Sequence, residues 1–267
     1  MNKREILYNL RRKNLKLNYE IICKKSTGST NDDAKNIISE KNLIIIARKQ
    51  TAGKGRYGRS FYSENTGGLY FTIKINQNNI KIKTEDITFF PLIAAVSVSQ
   101  AVFDLYGIEL LIKWPNDLLY KTAGGYKKIC GILTEASINS KIISYIIVGI
   151  GLNVNNNITD FPDDIKNTAS SLKIISNNNN NNKNKKYDLA DILCETVNIF
   201  TQLLYLPREL LIEEYKKRLV TGIDISFSQD GVLLKGKSAG ITQSGNLIAR
   251  LENGEETIIR SGEINFI

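Results

Sequence analysis

The chain has no histidine, and among its 267 residues there are only three cysteines, four prolines and a single tryptophan and methionine. Without histidine there is no Ser-His or Cys-His nucleophile pair and no histidine-rich zinc site. The cysteine count is odd, and Cys23, Cys130 and Cys194 sit in unrelated apolar contexts, so they read as reduced core thiols. No apolar run approaches the ~18 residues that span a bilayer. The basic stretch from Asn2 to Asn18 has neither the hydrophobic region of a signal peptide nor the serine enrichment of a transit peptide. A cytoplasmic protein with no membrane partner is expected.

What is present begins with charge. The formal net charge is +9, but the lysines are spread along the chain apart from Lys183, Lys185 and Lys186, which reads as a solvated surface. With 42% hydrophobic residues the chain can bury a full core, divided into one large and one small domain. The densest chemistry lies in Gly53-Lys54-Gly55-Arg56-Tyr57-Gly58-Arg59, where glycines let backbone wrap closely and cations ask for an anion. The spacing Gly53-x-Gly55-x-x-Gly58 also satisfies a dinucleotide fingerprint. That fingerprint must open a helix and be followed by an acid about 20 residues on. Here Ser60 to Ser63 leads to Gly67-Gly68 and a strand at Leu69 to Ile73, and Gln77, Asn78 and Asn79 stand where the acid is needed. A P-loop fails too, because no Gly-Lys-Ser/Thr ends the run. A cationic loop between two strands remains, one that folds over its ligand.

Further segments add to it. Lys113 ends the apolar run Leu110-Leu111-Ile112, and Trp114-Pro115-Asn116-Asp117 then turns the chain. A lysine, an amide and a carboxylate at one strand end suit phosphates, a sugar or base, and a magnesium ion. Lys128 to Glu135 alternates as a strand with Gly131 inside it, and Ile146 to Asn155 reads as a buried strand interrupted by Gly149 and Gly151. Ser29 and Thr30 pass as the cap of a helix through Asp32, Asp33, Ala34, Ile37 and Ile38.

Taken in order, Ser29-Thr30-Asn31, Gln50 with the glycine–arginine loop, Lys113 to Asp117, Lys128 to Glu135, and Gly149 to Asn153 resemble the biotin protein ligases, from about Ser29 to the C-terminus. The resemblance implies an ATP- and magnesium-dependent enzyme that forms biotinyl-5′-adenylate and transfers biotin to a lysine of a biotin carboxyl carrier protein. It places Ser29, Thr30, Asn31, Gln50, Gly53, Lys54, Gly55, Arg56, Lys128, Gly131 and Gly149 around biotin. Around ATP and the adenylate it places Arg56, Arg59, Lys113, Trp114, Asn116, Asp117, Lys128 and Asn153, with Asp117 toward magnesium. Lys128, rather than Lys127, matches the lysine at the activated carboxyl, with Arg56 and Lys113 beside it in catalysis. Lys54 stands where arginine is common in that family, and an ammonium does not reproduce a bidentate fork.

The implied fold is α+β: a mixed-sheet catalytic domain over residues 1–219, with an Asn-rich insertion at about 176–186, and a small SH3-like β-barrel over 220–267. The residues agree. Strand signals fall at Glu20–Lys24, Leu43–Arg48, Leu69–Ile75, Leu110–Lys113, Gly131–Ala136 and Ile142–Val148. Helices are predicted from Pro91 through Leu105 with one apolar face, from Leu189 to Leu204, and from Leu210 to Leu219. After Gly222, turns at Asp230-Gly231, Ser244-Gly245 and Asn253-Gly254 separate short strands. Asn177 to Asn182 is a polar run that buries nothing and reads as a mobile insertion. Too little chain precedes Ser29 for the helix-turn-helix module of some relatives, so no DNA partner is expected. A monomer or homodimer is expected. The rivals are a lipoate or octanoate ligase of the same fold and a non-catalytic biotin-binding module.

Overall fold

A computed structural model describes residues 3–13, 15, 17–139, 142–178 and 185–267. Its frame is one mixed sheet built from Tyr19–Lys24 (β1), Asn42–Ala47 (β2), Leu69–Asn76 (β3), Leu111–Lys113 (β4), Asp117–Thr122 (β5), Gly125–Asn139 (β6) and Ile142–Leu152 (β7). The order is β1-β2-β3-β7-β6-β5-β4, parallel between β1 and β2 and antiparallel elsewhere. Both faces are covered at β2, whose residues are all buried. Ile44 and Ile46 enter the main core, while Leu43 and Ile45 pack with Ala34 and Ile147 beneath the short helix Thr30–Asn36 (α2). The α+β reading of the sequence is borne out.

The opposite face is covered by Phe90–Tyr106 (α3) and Leu189–Leu203 (α5), with Lys3–Arg12 (α1) against α5 and Arg208–Lys216 (α6) against α3. Asp188 caps α5 by accepting the amides of Ala190 and Asp191 at 2.7 and 3.1 Å. The helix predicted from Pro91 is present, but not with one apolar face. Phe90, Leu92 to Ser99, Ala101 and Val102 are buried around most of its circumference, because it lies between sheet and helices. Its buried hydroxyls are satisfied: Ser97 donates to Ile93 O and Ser99 to Leu110 O, at 2.6 and 2.7 Å. The expectation about membrane-length segments needs correcting here. Within Thr84–Tyr106 an 18-residue window has a mean hydropathy of 1.6, long and apolar enough to span, but 67% of that window is buried inside the protein. Burial on this scale marks it as a core helix.

Other expectations shift in detail. Helix α2 stops at Asn36, leaving Ile38 fully exposed, and α6 ends at Lys216 rather than Leu219. Helix α1, which buries Ile6 and Leu10, and strand β5 add to the elements expected from the sequence. Cys130 and Cys194 are buried, but Cys23, on the edge strand β1, is exposed. The Asn-rich run begins inside the helix Leu172–Asn178 (α4), which takes in Asn177 and Asn178; residues 179–184 of the expected insertion lie outside the described residues.

The chain changes sheets near residue 220. Ile112 N donates to Arg218 O and Val220 N to Ile112 O, whereas Gly222 N donates to Ser238 O in a second sheet. That sheet comprises Asp224–Gln229 (β8), Val232–Ile241 (β9), Leu247–Leu251 (β10), Glu256–Ile259 (β11) and Ile264–Phe266 (β12), antiparallel in the order β11-β10-β9-β8-β12. The turn at Asp230-Gly231 has φ of 52° and 80°, as a two-residue hairpin requires. This small β domain is fastened to the first by Trp114, 4% exposed, whose Nε1 donates to Gly245 O at 2.8 Å. Removing that donor strands a buried carbonyl. Trp114→Phe is expected to lower the unfolding free energy by about 1–3 kcal/mol, measured by urea denaturation.

Candidate functional site

The site begins with strand pleat. Along β3, β7 and β6, Phe71, Ile73, Val148, Ile150 and Ile132 turn to the main core. Their neighbours face the other way and form two cross-strand rows: Tyr70, Gly151 and Gly131, then Thr72, Gly149 and Leu133. Three glycines leave this outer face bare, as a floor. A register shift then decides which lysine reaches it. Leu118 pairs with Cys130 but Leu119 with Lys128, so Ile129 is an extra residue. Ile129 and Cys130 both turn into the core, each 0% exposed, and the parity flip brings Lys128 onto the floor side. Lys127 points elsewhere and donates to Asn167 O.

One wall is the start of α2. Ser29, Thr30 and Asn31 are 3–4% exposed and line the cavity. Ser29 occupies the cap position, yet its hydroxyl makes no capping bond. Thr30 donates its amide and its hydroxyl to Gln50 Oε1, at 2.8 and 3.0 Å, and Gln50 Nε2 donates to Ser63 Oγ at 3.1 Å. Gln50 is therefore engaged at both ends of its amide. Asn31 Nδ2 donates to Glu135 Oε2 at 2.8 Å, and its Oδ1 lies 2.7 Å from Thr72 Oγ1. Gly149 makes this possible: a Cβ there would stand 2.2 Å from Asn31 Oδ1.

Facing that wall are the cations. Lys54, Gly55, Arg56 and Arg59 of the loop line the cavity with Lys113, Lys128 and the turn Trp114–Asp117. The loop is closed by its own backbone, Gly55 N donating to Arg59 O at 2.7 Å and Phe61 N to Gly53 O at 2.9 Å. Among the described residues, every cavity cation except Lys113 has a polar side-chain partner. Lys54 pairs with Asp32 at 2.7 Å, Arg59 with Glu263 at 2.7 Å and Lys128 with Asp117 at 2.8 Å. Arg56 Nη1 donates to Asn116 Oδ1 at 3.2 Å, and Asn116 Nδ2 to Ile132 O at 2.8 Å. Lys113 is held differently, its ammonium 5.1 Å from the centroid of the Phe266 ring. Burial pushes its pKa below the usual lysine range, against the pull of Asp117, while Lys128 adds to the lowering.

Most of the residues singled out in the sequence thus meet around one cavity. Gly53 and Asn153 are outside its lining. Gly53 serves the loop itself, since a Cβ there would meet Phe61 O and Ser63 Oγ at 2.4 Å. Asn153 follows β7 in register with the floor glycines, 5% exposed, with an Oδ1 that meets no hydrogen-bond partner among the described residues. The indole nitrogen of Trp114 is spent on Gly245. Sequence reasoning missed Phe61, whose ring rests on the floor close enough that a Cβ on Gly151 would meet it at 2.5 Å. It also missed Glu263, Ile264 and Asn265, which β12 and the residue before it bring to the rim. Nothing in the local pattern near the C-terminus pointed across to the first domain.

The cavity's carboxylates, Asp117 and Glu263, could give a metal ion one or two ligands but do not form a cage. No group of three or more metal-binding side chains occurs among the described residues. Asp117 supplies one carboxylate, already shared with Lys128, which matches the one or two carboxylates that usually accompany phosphate ligands.

A glycine-floored cavity with an amide-and-hydroxyl wall and facing cations defines a binding site for an anion carrying a polar body, on an α+β scaffold. Residues 20–153 match the model of the Biotin/lipoate A/B protein ligase family, and the chain belongs to that family. It is 31% identical over 240 residues to the bifunctional ligase/repressor BirA of Bacillus spizizenii, covering 87% of this chain and 69% of the relative. It is 31% identical over 153 residues to the biotin–[acetyl-CoA-carboxylase] ligase of Mycobacterium tuberculosis, covering 55% and 52%. Among solved structures, the Aquifex aeolicus biotin protein ligase in complex with biotin and ATP superposes with a TM-score of 0.76 at 27% identity, covering 93% of this chain and 98% of that one. The resemblance drawn from the sequence is borne out.

The seating of Asn31 on Gly149 can be tested without any ligand. Gly149→Ala is expected to cost about 1–3 kcal/mol of stability through overpacking. Adding Asn31→Ala removes the clashing atoms, so the double variant should be more stable than the sum of the singles implies, as urea denaturation of all four proteins would show.

Proposed function

We propose that this protein is an ATP-dependent ligase that activates biotin as biotinyl-5′-adenylate and transfers it to a lysine of a biotin carboxyl carrier protein. The observation that carries the reading is the convergence of Arg56, Lys113 and Lys128 with the α2 wall on one glycine-floored cavity. Family membership narrows the acid to biotin or lipoate. The identity to relatives named as biotin–[acetyl-CoA-carboxylase] ligases favours biotin.

In this reading the wall of Ser29, Thr30 and Asn31 takes the ureido ring, with Gln50 holding Thr30 in place. The carboxylate lies toward Lys128 and Arg56. An oxygen of that carboxylate attacks the α-phosphorus of ATP, the bond from that phosphorus to the bridging oxygen breaks, and pyrophosphate leaves. A carrier lysine then attacks the acyl carbon, AMP leaves with the bonding pair, and the amine loses a proton. The carboxylate is already ionised, so no histidine is needed for the first step. The burden is charge on phosphate oxygens, which fixed ammonium and guanidinium groups meet electrostatically. Asp117 would hold a nucleotide-borne magnesium, which neutralises part of the triphosphate charge. Arg59, Asn116 and Asn153 are assigned to the nucleotide side, and the division at 219/220 separates the catalytic domain from a β domain that lends Glu263 to the rim.

The cavity measures about 130 Å³. Pockets for drug-sized ligands span roughly 300–1,000 Å³, so the Gly53–Phe61 loop must swing outward to admit biotin and a nucleotide together. Phe61 would then leave the floor to the ligand.

Mass spectrometry of a carrier domain incubated with this protein, MgATP and either biotin or lipoate tests the function. Addition of biotin to a single lysine is expected, and exclusive lipoylation, or no transfer, would refute the proposal. Lys128→Ala is expected to slow biotin-dependent pyrophosphate exchange by roughly 100- to 1,000-fold. Its unfolding midpoint should barely move, because the pair with Asp117 is 40% and 20% exposed and pairs of that kind contribute little.

A further inference from the structure

Lys74 lies on β3, 3% exposed, and does not line the cavity. Its ammonium donates to Ala34 O at 2.8 Å and to Ile37 O at 2.9 Å, and stands 4.1 Å from the centroid of the Tyr145 ring. Among the described residues no carboxylate lies within ion-pair distance of it. A buried cation without an acid is costly, and an apolar side chain of similar length would fill the space more cheaply. Burial accordingly lowers its pKa.

What the ammonium does is plain from its partners. The last carbonyls of a helix have no intrahelical donors and carry the negative end of its dipole. Ala34 O and Ile37 O are such groups at the end of α2, and Lys74 satisfies both. Two residues earlier on the same face of β3, Thr72 Oγ1 stands 2.8 Å from Thr30 Oγ1 and 2.7 Å from Asn31 Oδ1, at the beginning of α2. One strand thus grips the helix at both ends. Seven residues make only two turns, about 10 Å, too short to hold a helix in place by its own ladder. The position of Asn31 over Gly149 depends on these two grips, together with Glu135, which accepts from Asn31 and pairs with Lys35 at 2.6 Å.

We propose that Lys74 is a positioning residue for the acid substrate: by clamping the far end of α2 it fixes Thr30 and Asn31 against the cavity without touching the ligand. The inference rests on the assignment of that wall to biotin. Its signature is selective, because the nucleotide side is built from Arg56, Arg59 and the β4–β5 turn, and the contact of the loop with α2, Lys54 with Asp32, is an exposed pair that contributes little.

The test is steady-state kinetics of Lys74→Met with amide hydrogen exchange on the protein alone. The KM for biotin is expected to rise about tenfold or more, with the KM for ATP and kcat nearly unchanged. Amides of residues 30–37 should exchange faster by more than any fall in the global unfolding midpoint accounts for. Lys74→Arg, which keeps the cation, should restore most of the biotin KM, and Asn31→Ala combined with Lys74→Met should be little worse than the poorer single variant. A folded Lys74→Met with wild-type biotin KM, or with equal rises in both KM values, would overturn the proposal. Should that variant fail to fold, Lys74→Gln, which keeps one donor, is read by the same outcomes. If the wild-type protein activates no biotin, the functional reading fails; the exchange arm still decides the clamp, which is refuted by unchanged protection of α2.

Discussion

The site depends on which way side chains point from β6 and β7. A strand places successive residues on opposite faces, so a sheet with a core on one side automatically offers a second face of the same residues' neighbours. Here the core face is filled with Ile132, Val148 and Ile150, and the other carries Gly131, Gly149 and Gly151. Had the alternation run unbroken, Lys128 would share a face with Cys130 and Ile132 and be driven toward the core, where an unpaired ammonium is costly. The extra residue at Ile129 resolves the conflict by sending two consecutive apolar side chains inward and returning the lysine to the floor. The bulge is stabilised by a neighbouring segment: Lys128 N donates to Thr168 O, Ser170 N to Lys128 O, and Asn153 N to Ile129 O. Three otherwise stranded backbone groups are thereby satisfied.

The same economy explains the wall. The cap position of α2 makes no side-chain capping bond, and the polar side chains of the helix are engaged with groups outside it. Thr27 donates to Asp33 at 2.7 Å, Lys24 pairs with the same carboxylate at 2.7 Å, and Lys54 reaches Asp32 from the loop. The lysine at the first basic position of the loop therefore acts as a tether between loop and helix. A compact ammonium suffices for that contact, which needs one point charge and no planar fork.

Much of this was legible in the sequence, and the reasons differ by segment. The long strands were readable because alternation and β-branched residues dominate them, and the turns of the second domain because Asp230-Gly231 and Asn253-Gly254 demand positive φ. The preference for Lys128 over Lys127 rests on the resemblance; strict alternation puts Lys127 on the glycine face, whereas the bulge, invisible to a count of alternate residues, puts Lys128 there. The contribution of Glu263 was not legible because it depends on how two domains dock, which Trp114 and Gly245 decide some 130 positions apart in the chain. Helix α3 was found, but its apolar face was underestimated: small residues such as Ala94, Ala95, Ser97 and Ser99 are buried too, and short side chains do not announce burial by hydropathy.

The pairing of cavity cations with the protein's own carboxylates bears on how an anion enters. Arg59 and Glu263 are 68% and 28% exposed, and Lys54 and Asp32 are 45% and 39% exposed, so each pair is screened and contributes ~0–1 kcal/mol. Such contacts are weak enough for a phosphate bearing several charges to displace, yet they keep long side chains near the cavity instead of waving in solvent. The ordering entropy of those side chains is then spent partly in folding rather than wholly at binding. Lys113 is the counterexample that sharpens the point. Half-buried against Phe266 with its charge disfavoured by desolvation, it would gain most from an anion on the proposed reading, because the same low-dielectric setting that lowers its pKa strengthens attraction to a negative charge. On the proposed reading the exposed pairs keep the site receptive, and the half-buried lysine supplies its pull.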